Sequence, residues 1–220
     1  MEPAFWLERW TKNEIGFHQP DVNPYLRQYW SRLSAKNDST VFVPLCGKSL
    51  DMRWLREQGH HVLGIELAQS ATKEFFAELK MNPTVTQVGS FEQWRAGGYT
   101  LLCGDFFALT ARDLNDVSAV FDRASLIALP PEMREQYAAK MKEIVPASAP
   151  TLLVSLTYPQ HEMRGPPHSV PEDEVRRLYA DRQVEKLADL DVLDQPENAR
   201  FKQRGVTKAT EQVYLLRPRQ

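Results

Sequence analysis

A single glycine and a distant acid, Gly47 and Glu66, are the residues of this chain whose spacing points most directly to a ligand. The apolar run 41–43 is typical of a buried parallel strand, and Gly47 allows the backbone to turn sharply after it, toward a helix that Ser49 would cap. The stretch 61–65 predicts a second strand that ends on Glu66, roughly 20 residues past the glycine. In a doubly wound sheet such a carboxylate accepts hydrogen bonds from ribose hydroxyls, so the unit predicts a nucleoside-containing ligand.

The loop that carries Gly47 limits which nucleoside ligand fits. Nicotinamide and flavin sites use G-x-G-x-x-G to bring pyrophosphate to a helix N-terminus, whereas Pro44-Leu45-Cys46-Gly47 contains one glycine. Gly47-Lys48-Ser49 matches the end of a phosphate-binding loop, but Phe42 stands where that motif has its first glycine. A ligand without pyrophosphate is favoured, and S-adenosylmethionine is the commonest such cofactor on this architecture. The alternative that stays open is that Glu66 is only a solvated carboxylate at a strand end.

The strand predicted over 99–103 ends next to an acid and an aromatic residue, Asp105 and Phe106. This pair suits an adenine, because the carboxylate accepts from the exocyclic amine and the ring packs on the purine. An ordinary aspartate turn explains Asp105 equally well.

Arg123 is the unusual residue at the end of the strand predicted over 117–122. A guanidinium directly after an apolar strand must find a carboxylate or a ligand, because an unpaired buried charge is costly. Pairing with Asp122 or Glu66 would make this arginine structural, whereas pairing with the ligand would make it functional.

The elements around these residues predict one α/β domain over residues 1–220, with a helical N-terminal extension (1–38) and an α/β core (39–220). The extension is rich in aromatic residues, and Trp10 and Phe17 are candidates to cover a ligand at the sheet edge. The stretch 89–98 is predicted as a connection. The segments 184–193 and 210–216 predict an antiparallel hairpin that closes the sheet, joined by a loop with several cations. Those residues are Arg200, Lys202 and Arg204.

Composition and charge exclude several classes of partner. The formal net charge is −2 and no block of Lys or Arg stands out, so neither nucleic acid nor an anionic membrane is a predicted partner. No apolar run approaches the about 18 residues of a membrane helix, and residues 1–6 do not resemble a secretion signal, so a cytoplasmic protein is expected. Cys46 and Cys103 predict no disulfide framework, and no metal site is expected. No exposed apolar stripe requires a partner chain, so a monomer is expected.

With its motifs assembled, the chain resembles the thiopurine S-methyltransferases, and closely resembles their bacterial members. The resemblance implies a class I S-adenosylmethionine-dependent methyltransferase: an α/β, doubly wound, mostly parallel seven-stranded sheet with an antiparallel closing hairpin, and an N-terminal helical extension that forms a lid. The match runs nearly end to end and is carried by Phe5-Trp6-Leu7-Glu8-Arg9-Trp10, Gly16-Phe17-His18-Gln19, Val43-Pro44-Leu45-Cys46-Gly47-Lys48-Ser49, Gly64-Ile65-Glu66, Phe121-Asp122-Arg123-Ala124 and Gly165-Pro166-Pro167-His168.

The resemblance also implies roles for single residues. Contacts to S-adenosylmethionine, and to its product S-adenosylhomocysteine, fall on Trp10, Leu45, Glu66 and Arg123, with Gly47, Asp105 and Phe106 as further lining positions. Positions near the methyl acceptor fall on Phe17, Arg123 and Arg200, where arginines suit an anionic heterocycle. No catalytic base is implied.

We consider three possible functions for the chain, one implied by the resemblance and two alternatives. The resemblance implies methyl transfer to aromatic or heterocyclic thiols such as thiopurines, and it allows selenium and tellurium oxyanions and hence tellurite resistance. The first alternative is a non-catalytic module that binds S-adenosylmethionine or another nucleoside. The second is a small nucleotide phosphatase or kinase that uses Gly47-Lys48-Ser49 and would bind Mg-ATP.

Overall fold

The structure of the chain, a computed structural model, describes residues 3–219; residues 1, 2 and 220 of the predicted domain lie outside the described part. Its nine strands are β1 (Thr40–Val43), β2 (His61–Glu66), β3 (Thr84–Val88), β4 (Phe91–Ala96), β5 (Tyr99–Cys103), β6 (Val117–Arg123), β7 (Thr151–Thr157), β8 (Arg182–Asp191) and β9 (Thr210–Pro218). Its seven α-helices are α1 (Pro3–Thr11), α2 (Pro24–Tyr29), α3 (Leu50–Glu57), α4 (Gln69–Glu78), α5 (Pro131–Ile144), α6 (Glu172–Leu178) and α7 (Ala199–Gln203).

All nine strands form one sheet in the order β3-β4-β5-β2-β1-β6-β7-β9-β8. Strands β5, β2, β1, β6 and β7 are parallel, and numbered among themselves they stand in the order 3-2-1-4-5 of a doubly wound sheet. The hairpin of β8 and β9 runs antiparallel beside β7, as predicted. In such a sheet the ligand edge is the one where the parallel strands end, which for β2 is Glu66 and for β6 is Arg123.

The stretch 89–98, predicted as a connection, instead contains β4, which pairs antiparallel with both β3 and β5. Gly89 has a φ of +57°, which lets the chain reverse between β3 and β4. The apolar residues of β4 do not alternate regularly, and for that reason the pattern did not predict a strand. The predicted seven-stranded sheet is therefore present with two further strands at one edge.

The core lies on both faces of the sheet, as the apolar run in β1 predicts. Phe42 packs in a cluster on one face with Ile65 of β2 and Tyr137 of α5. Val41 and Val43 point to the opposite face, where they pack with Leu26 of α2. Because successive strand residues face opposite sides, β1 is buried on both sides and fixes the position of the loop that follows it.

The N-terminal extension is anchored to one face of the sheet. Asn23 caps α2 by accepting hydrogen bonds from the backbone N–H groups of Tyr25 and Leu26 (3.0 and 3.4 Å), and a 3-10 turn over 30–33 follows the helix. The indole of Trp30 is buried and donates to Nε2 of His60 (3.0 Å). The start of α2 lies instead at the ligand edge, because the Asn23 N–H donates to Asp51 at the start of α3 (2.7 Å).

Candidate functional site

The loop between β1 and α3 holds two residues in the left-handed backbone region, Leu45 (φ +44°) and Gly47 (φ +52°). A branched leucine there is strained by about 1–2 kcal/mol, and such strain is typical of ligand-binding loops. The Cys46 N–H donates to the carbonyl of Ile65 (3.0 Å), which ties the loop to β2. A Cβ on Gly47 would lie 3.1 Å from the Trp10 indole, so the glycine also lets α1 approach closely.

Glu66 is buried at the end of β2, with 6% of its surface exposed, and it is not a solvated strand-end carboxylate. Its Oε2 accepts from the Gly47 N–H (2.9 Å) and its Oε1 accepts from the Ala68 N–H (2.7 Å). Burial raises the pKa of Glu66, while these N–H groups act in the opposite direction. Each oxygen keeps a further lone pair, so the carboxylate can still accept hydroxyl hydrogen bonds from a ligand.

Lys48 is engaged elsewhere. Its ammonium, on a side chain 12% exposed, forms ion pairs with Glu74 and Glu78 of α4, both at 2.8 Å. A phosphate-binding loop needs this amine on the phosphates of its ligand. The ion pairs therefore argue against a nucleotide phosphatase or kinase.

Arg123 pairs with Asp51, which no motif of the sequence indicates as its partner. Its Nε donates to Oδ2 of Asp51 (3.0 Å), and its Nη2 lies 3.5 Å from the hydroxyl of Ser49. The proposed structural partners Asp122 and Glu66 are wrong, because Glu66 is bonded to backbone N–H groups and Asp122 accepts from Tyr137. A signal was available: an acid two residues after a predicted helix cap commonly lies in the first turn, where it faces neighbouring loops.

Asp122 is a buried carboxylic acid next to this site. Its Oδ2 accepts from the Tyr137 hydroxyl (2.8 Å), whereas Oδ1 has no partner within residues 3–219. Burial raises the pKa of Asp122 from its usual 3.8 to about 6. The group therefore changes charge just below neutral pH.

Asp105 and Phe106 follow β5 at the same edge of the sheet, in different environments. Asp105 is exposed and accepts from the Phe107 N–H (2.9 Å). The Phe106 ring is 3% exposed and stacks on Tyr137 with ring centroids 4.8 Å apart, so it belongs to the core rather than to an open surface. Of the two adjacent rings, Phe107 is the more exposed, and the sequence pattern could not distinguish them.

The aromatic residues of the N-terminal extension form a cluster over the start of α4. Trp10 is 7% exposed and packs with Ala68 and Ala71. The ring of Phe17 lies edge-on to those of Trp6 and Trp10, with centroid distances of 5.7 and 5.6 Å. Trp10 therefore touches both the Gly47 loop and the segment after Glu66.

Arg200 reaches this cluster from the other end of the chain. Its Nη1 donates to the carbonyl of Gly16 (2.6 Å), directly before Phe17, while its buried Nε has no partner among the described residues. Burial, together with the charge of Arg204, lowers the pKa of Arg200. Lys202 instead pairs with Asp194 and is half exposed. The structure thus brings Phe17 and Arg200 together and directs Lys202 elsewhere.

The cysteines are not activated nucleophiles. Cys46 is 5% exposed and its burial raises the pKa of its thiol; burial of Cys103 raises its pKa to about 11. Both remain neutral thiols at physiological pH. Within the described chain, no group of three or more His, Cys, Asp or Glu side chains could hold a metal ion. None of the helices over residues 3–219 has the length and apolar character needed to cross a bilayer.

An open groove of about 770 Å³ lies at the opposite edge of the sheet, where the parallel strands begin. It is lined by the first residues of four strands, Thr40, His61, Tyr99 and Val117, and contains none of the predicted site residues. Ligands of open α/β sheets bind at the carboxyl ends of the strands, so the groups around Glu66 are the better candidate site.

Comparison with known folds supports this architecture. The 1,6-didemethyltoxoflavin-N1-methyltransferase of Burkholderia thailandensis superposes with a TM-score of 0.66 at 13% identity, over 99% of this chain and 87% of that chain. A SAM-dependent methyltransferase from Anabaena variabilis gives 0.66 at 11% identity, over 99% and 95%. These similarities confirm the predicted class I methyltransferase fold.

Comparison of sequences identifies the family. A sequence model described as thiopurine S-methyltransferase (TPMT) matches residues 1–219. The thiopurine S-methyltransferase of Azotobacter vinelandii is 50% identical over 220 residues, 100% of both chains. That of Pseudomonas putida is 48% identical over 216 residues, 98% of this chain and 99% of the relative. The matches confirm the predicted enzyme class, a methyltransferase, and S-adenosylmethionine as its cofactor: the chain belongs to the thiopurine S-methyltransferase family.

Proposed function

We propose that this enzyme transfers the methyl group of S-adenosylmethionine to the sulfur of aromatic and heterocyclic thiols such as thiopurines. The observation that carries the proposal is the placement of Glu66. Its carboxylate is oriented by the Gly47 and Ala68 N–H groups, beside a loop with a single glycine and with Lys48 turned away. This arrangement suits a sugar without pyrophosphate.

The cofactor would be held by residues from four segments. Glu66 accepts from the ribose hydroxyls, Trp10 and Leu45 cover the methionine portion, and Gly47 leaves room for close approach. Asp105 accepts from the adenine amine, and Phe106 supports this position from the core. Arg123 completes the proposed set, at the boundary between cofactor and acceptor.

The acceptor side of the proposal consists of Phe17, Arg123 and Arg200. When bound, S-adenosylmethionine supplies an electrophilic methyl group on a sulfonium. The protein has to align the acceptor sulfur with that group and exclude water, which the Trp10 and Phe17 rings do as parts of the lid. No strong base is required, because a heterocyclic thiol delocalises its anion and a neighbouring guanidinium lowers the pKa of a thiol.

The proposal includes a single domain over residues 1–220 acting as a monomer in the cytoplasm on a small-molecule substrate. The small net charge of −2 and the absence of a cationic block in the sequence support a small-molecule partner over nucleic acid or membrane. Light scattering during size-exclusion chromatography tests the monomer; a mass twice that of the chain would contradict it.

A methyl-transfer panel tests the proposed function. Purified protein is incubated with radiolabelled S-adenosylmethionine and thiopurines, aryl thiols, selenite or tellurite, and methylated product is counted. Transfer to the heterocyclic thiols is expected. Tight binding of S-adenosylhomocysteine without transfer to any acceptor would favour the binding-module alternative, and transfer to selenite or tellurite alone would replace the proposed thiol substrate.

A further inference from the structure

Asp51, in the first turn of α3, joins three segments of the chain that meet at the candidate site. Its Oδ1 accepts from the backbone N–H of Asn23 (2.7 Å), in the N-terminal extension. Its Oδ2 accepts from the Ser49 hydroxyl (2.8 Å), in the Gly47 loop, and from Nε of Arg123 (3.0 Å), at the end of β6. No role toward the ligand follows for Asp51 from the motifs of the sequence.

The charges of this cluster are matched inside the protein. The side chain of Asp51 is 3% exposed and that of Arg123 is 13% exposed. A buried carboxylate needs such a partner, because an unpaired buried charge is costly. The guanidinium uses its Nε on Asp51 and directs Nη2 toward Ser49, which leaves Nη1 without a partner among residues 3–219.

The bond from Asn23 extends the cluster to the lid. Asn23 starts α2 through its side-chain oxygen, so its own N–H points away from the helix and is free to bond Asp51. Its Nδ2 also lies 3.4 Å from Oε1 of Gln19. The residues that carry Phe17 are therefore held at their carboxyl end by the same carboxylate that holds Arg123.

We propose that Asp51 is a positioning residue for methyl transfer. By fixing Nε of Arg123, Asp51 keeps Nη1 free for the bound molecule. Through its bond to the Asn23 N–H, Asp51 also couples the position of that guanidinium to the position of the N-terminal lid. This inference rests on the proposed role of Arg123 at the cofactor and acceptor.

A double-mutant cycle tests the coupling. Asp51→Asn keeps the shape and one acceptor for the Asn23 N–H but removes the charge, and Arg123→Met removes the guanidinium. Each single variant is expected to lower kcat/KM for a thiopurine by about tenfold or more, because hydrogen bonds to charged groups are being lost. The double variant is expected to be little worse than Arg123→Met, since Asp51 acts through that arginine.

Two further variants separate positioning from stability. Glu185→Gln on β8 is the control: it removes another carboxylate that is bonded to two arginines, Arg32 (2.7 Å) and Arg217 (2.6 Å). This variant is expected to leave kcat and KM unchanged. Ser49→Ala removes the hydroxyl that donates to Oδ2 of Asp51 and accepts from the Asp51 N–H and from Nη2 of Arg123, and it is expected to reproduce the Asp51→Asn pattern at smaller size. It also serves if Asp51→Asn fails to fold. Thermal unfolding is recorded for every variant.

The outcomes decide the inference separately from the proposed function. The inference is overturned if the double variant loses kcat/KM by the product of the two single-variant losses. It is also overturned if Asp51→Asn has a lower melting temperature but wild-type kcat and KM. If the wild type methylates no thiol, the proposed function fails. The same cycle is then read from calorimetric Kd values for S-adenosylhomocysteine, where non-additive losses support positioning by Asp51 and additive or absent losses overturn it.

Discussion

Replacement of Gly16 by alanine tests the contact that joins the lid to Arg200. A Cβ at Gly16 would overlap Nη1 of Arg200, the atom that donates to the Gly16 carbonyl. Gly16 is not in the left-handed backbone region, so alanine strains nothing there. The far end of the arginine has to move, and the hydrogen bond is lost while the charge remains.

The size of the effect follows from that single bond. A hydrogen bond from a charged group contributes about 1.5–3 kcal/mol, and the lower figure applies because this contact is at the surface. About 1.4 kcal/mol corresponds to a factor of ten. If the fixed guanidinium binds the acceptor, Gly16→Ala is predicted to raise KM for an anionic thiopurine about tenfold and to leave the affinity for S-adenosylhomocysteine unchanged.

Steady-state kinetics with an anionic and a neutral aryl thiol provide the assay. Arg200→Ala is measured beside Gly16→Ala, and Lys202→Ala is the matched control, because it removes a cation of the same helix that pairs with Asp194. Wild-type KM values for the anionic thiol in both Gly16→Ala and Arg200→Ala would refute the placement of Arg200 at the acceptor. An equal rise in KM with Lys202→Ala would show a general charge effect.

Three other perturbations have predicted outcomes. In calorimetry, Glu66→Ala is expected to weaken S-adenosylhomocysteine binding by at least about tenfold. The affinity of the wild type is expected to fall at acid pH, where the Glu66 carboxylate, whose pKa is raised by burial, becomes protonated. The same pH dependence in Glu66→Ala would contradict this assignment. Asp122→Asn is expected to gain about 2–3 kcal/mol of stability over wild type in urea unfolding at pH 7 and little at pH 3.5. The reason is that the pKa of Asp122 in the folded protein, about 6, exceeds its usual 3.8, so the wild type loses stability as pH rises through that interval. A difference in unfolding free energy between variant and wild type that is the same at both pH values would contradict this prediction. Lys48→Met is expected to leave the affinity for S-adenosylhomocysteine unchanged, because Lys48 pairs with α4, and tight Mg-ATP binding by wild type would contradict this account.

Local sequence patterns were sufficient to predict the strands and turns whose own residues determine their structure. The strand β1 is buried on both faces, so its apolar run is continuous, and the strand after α3 ends on the acid that the spacing predicted. Gly47 and Glu66 meet because β1 and β2 are adjacent parallel strands, which the β-turn-α-β pattern already implies.

Features that depend on contacts between distant segments could not be predicted in the same way. Asp51 and Arg123 are 72 residues apart, and no sequence pattern around either residue indicates that they form a pair. The bond between Arg200 and Gly16 spans 184 residues. The strand β4 could not be predicted because its apolar residues, Phe91, Trp94 and Ala96, do not alternate, and a period-2 pattern appears only where one face is uniformly exposed.

A crystal of the protein grown with S-adenosylhomocysteine tests the central claim most directly. We expect density at the carboxyl ends of β1 and β2, with both ribose hydroxyls about 2.5–3.0 Å from the oxygens of Glu66. Density at the opposite edge of the sheet, or none at a saturating concentration of the ligand, would contradict it.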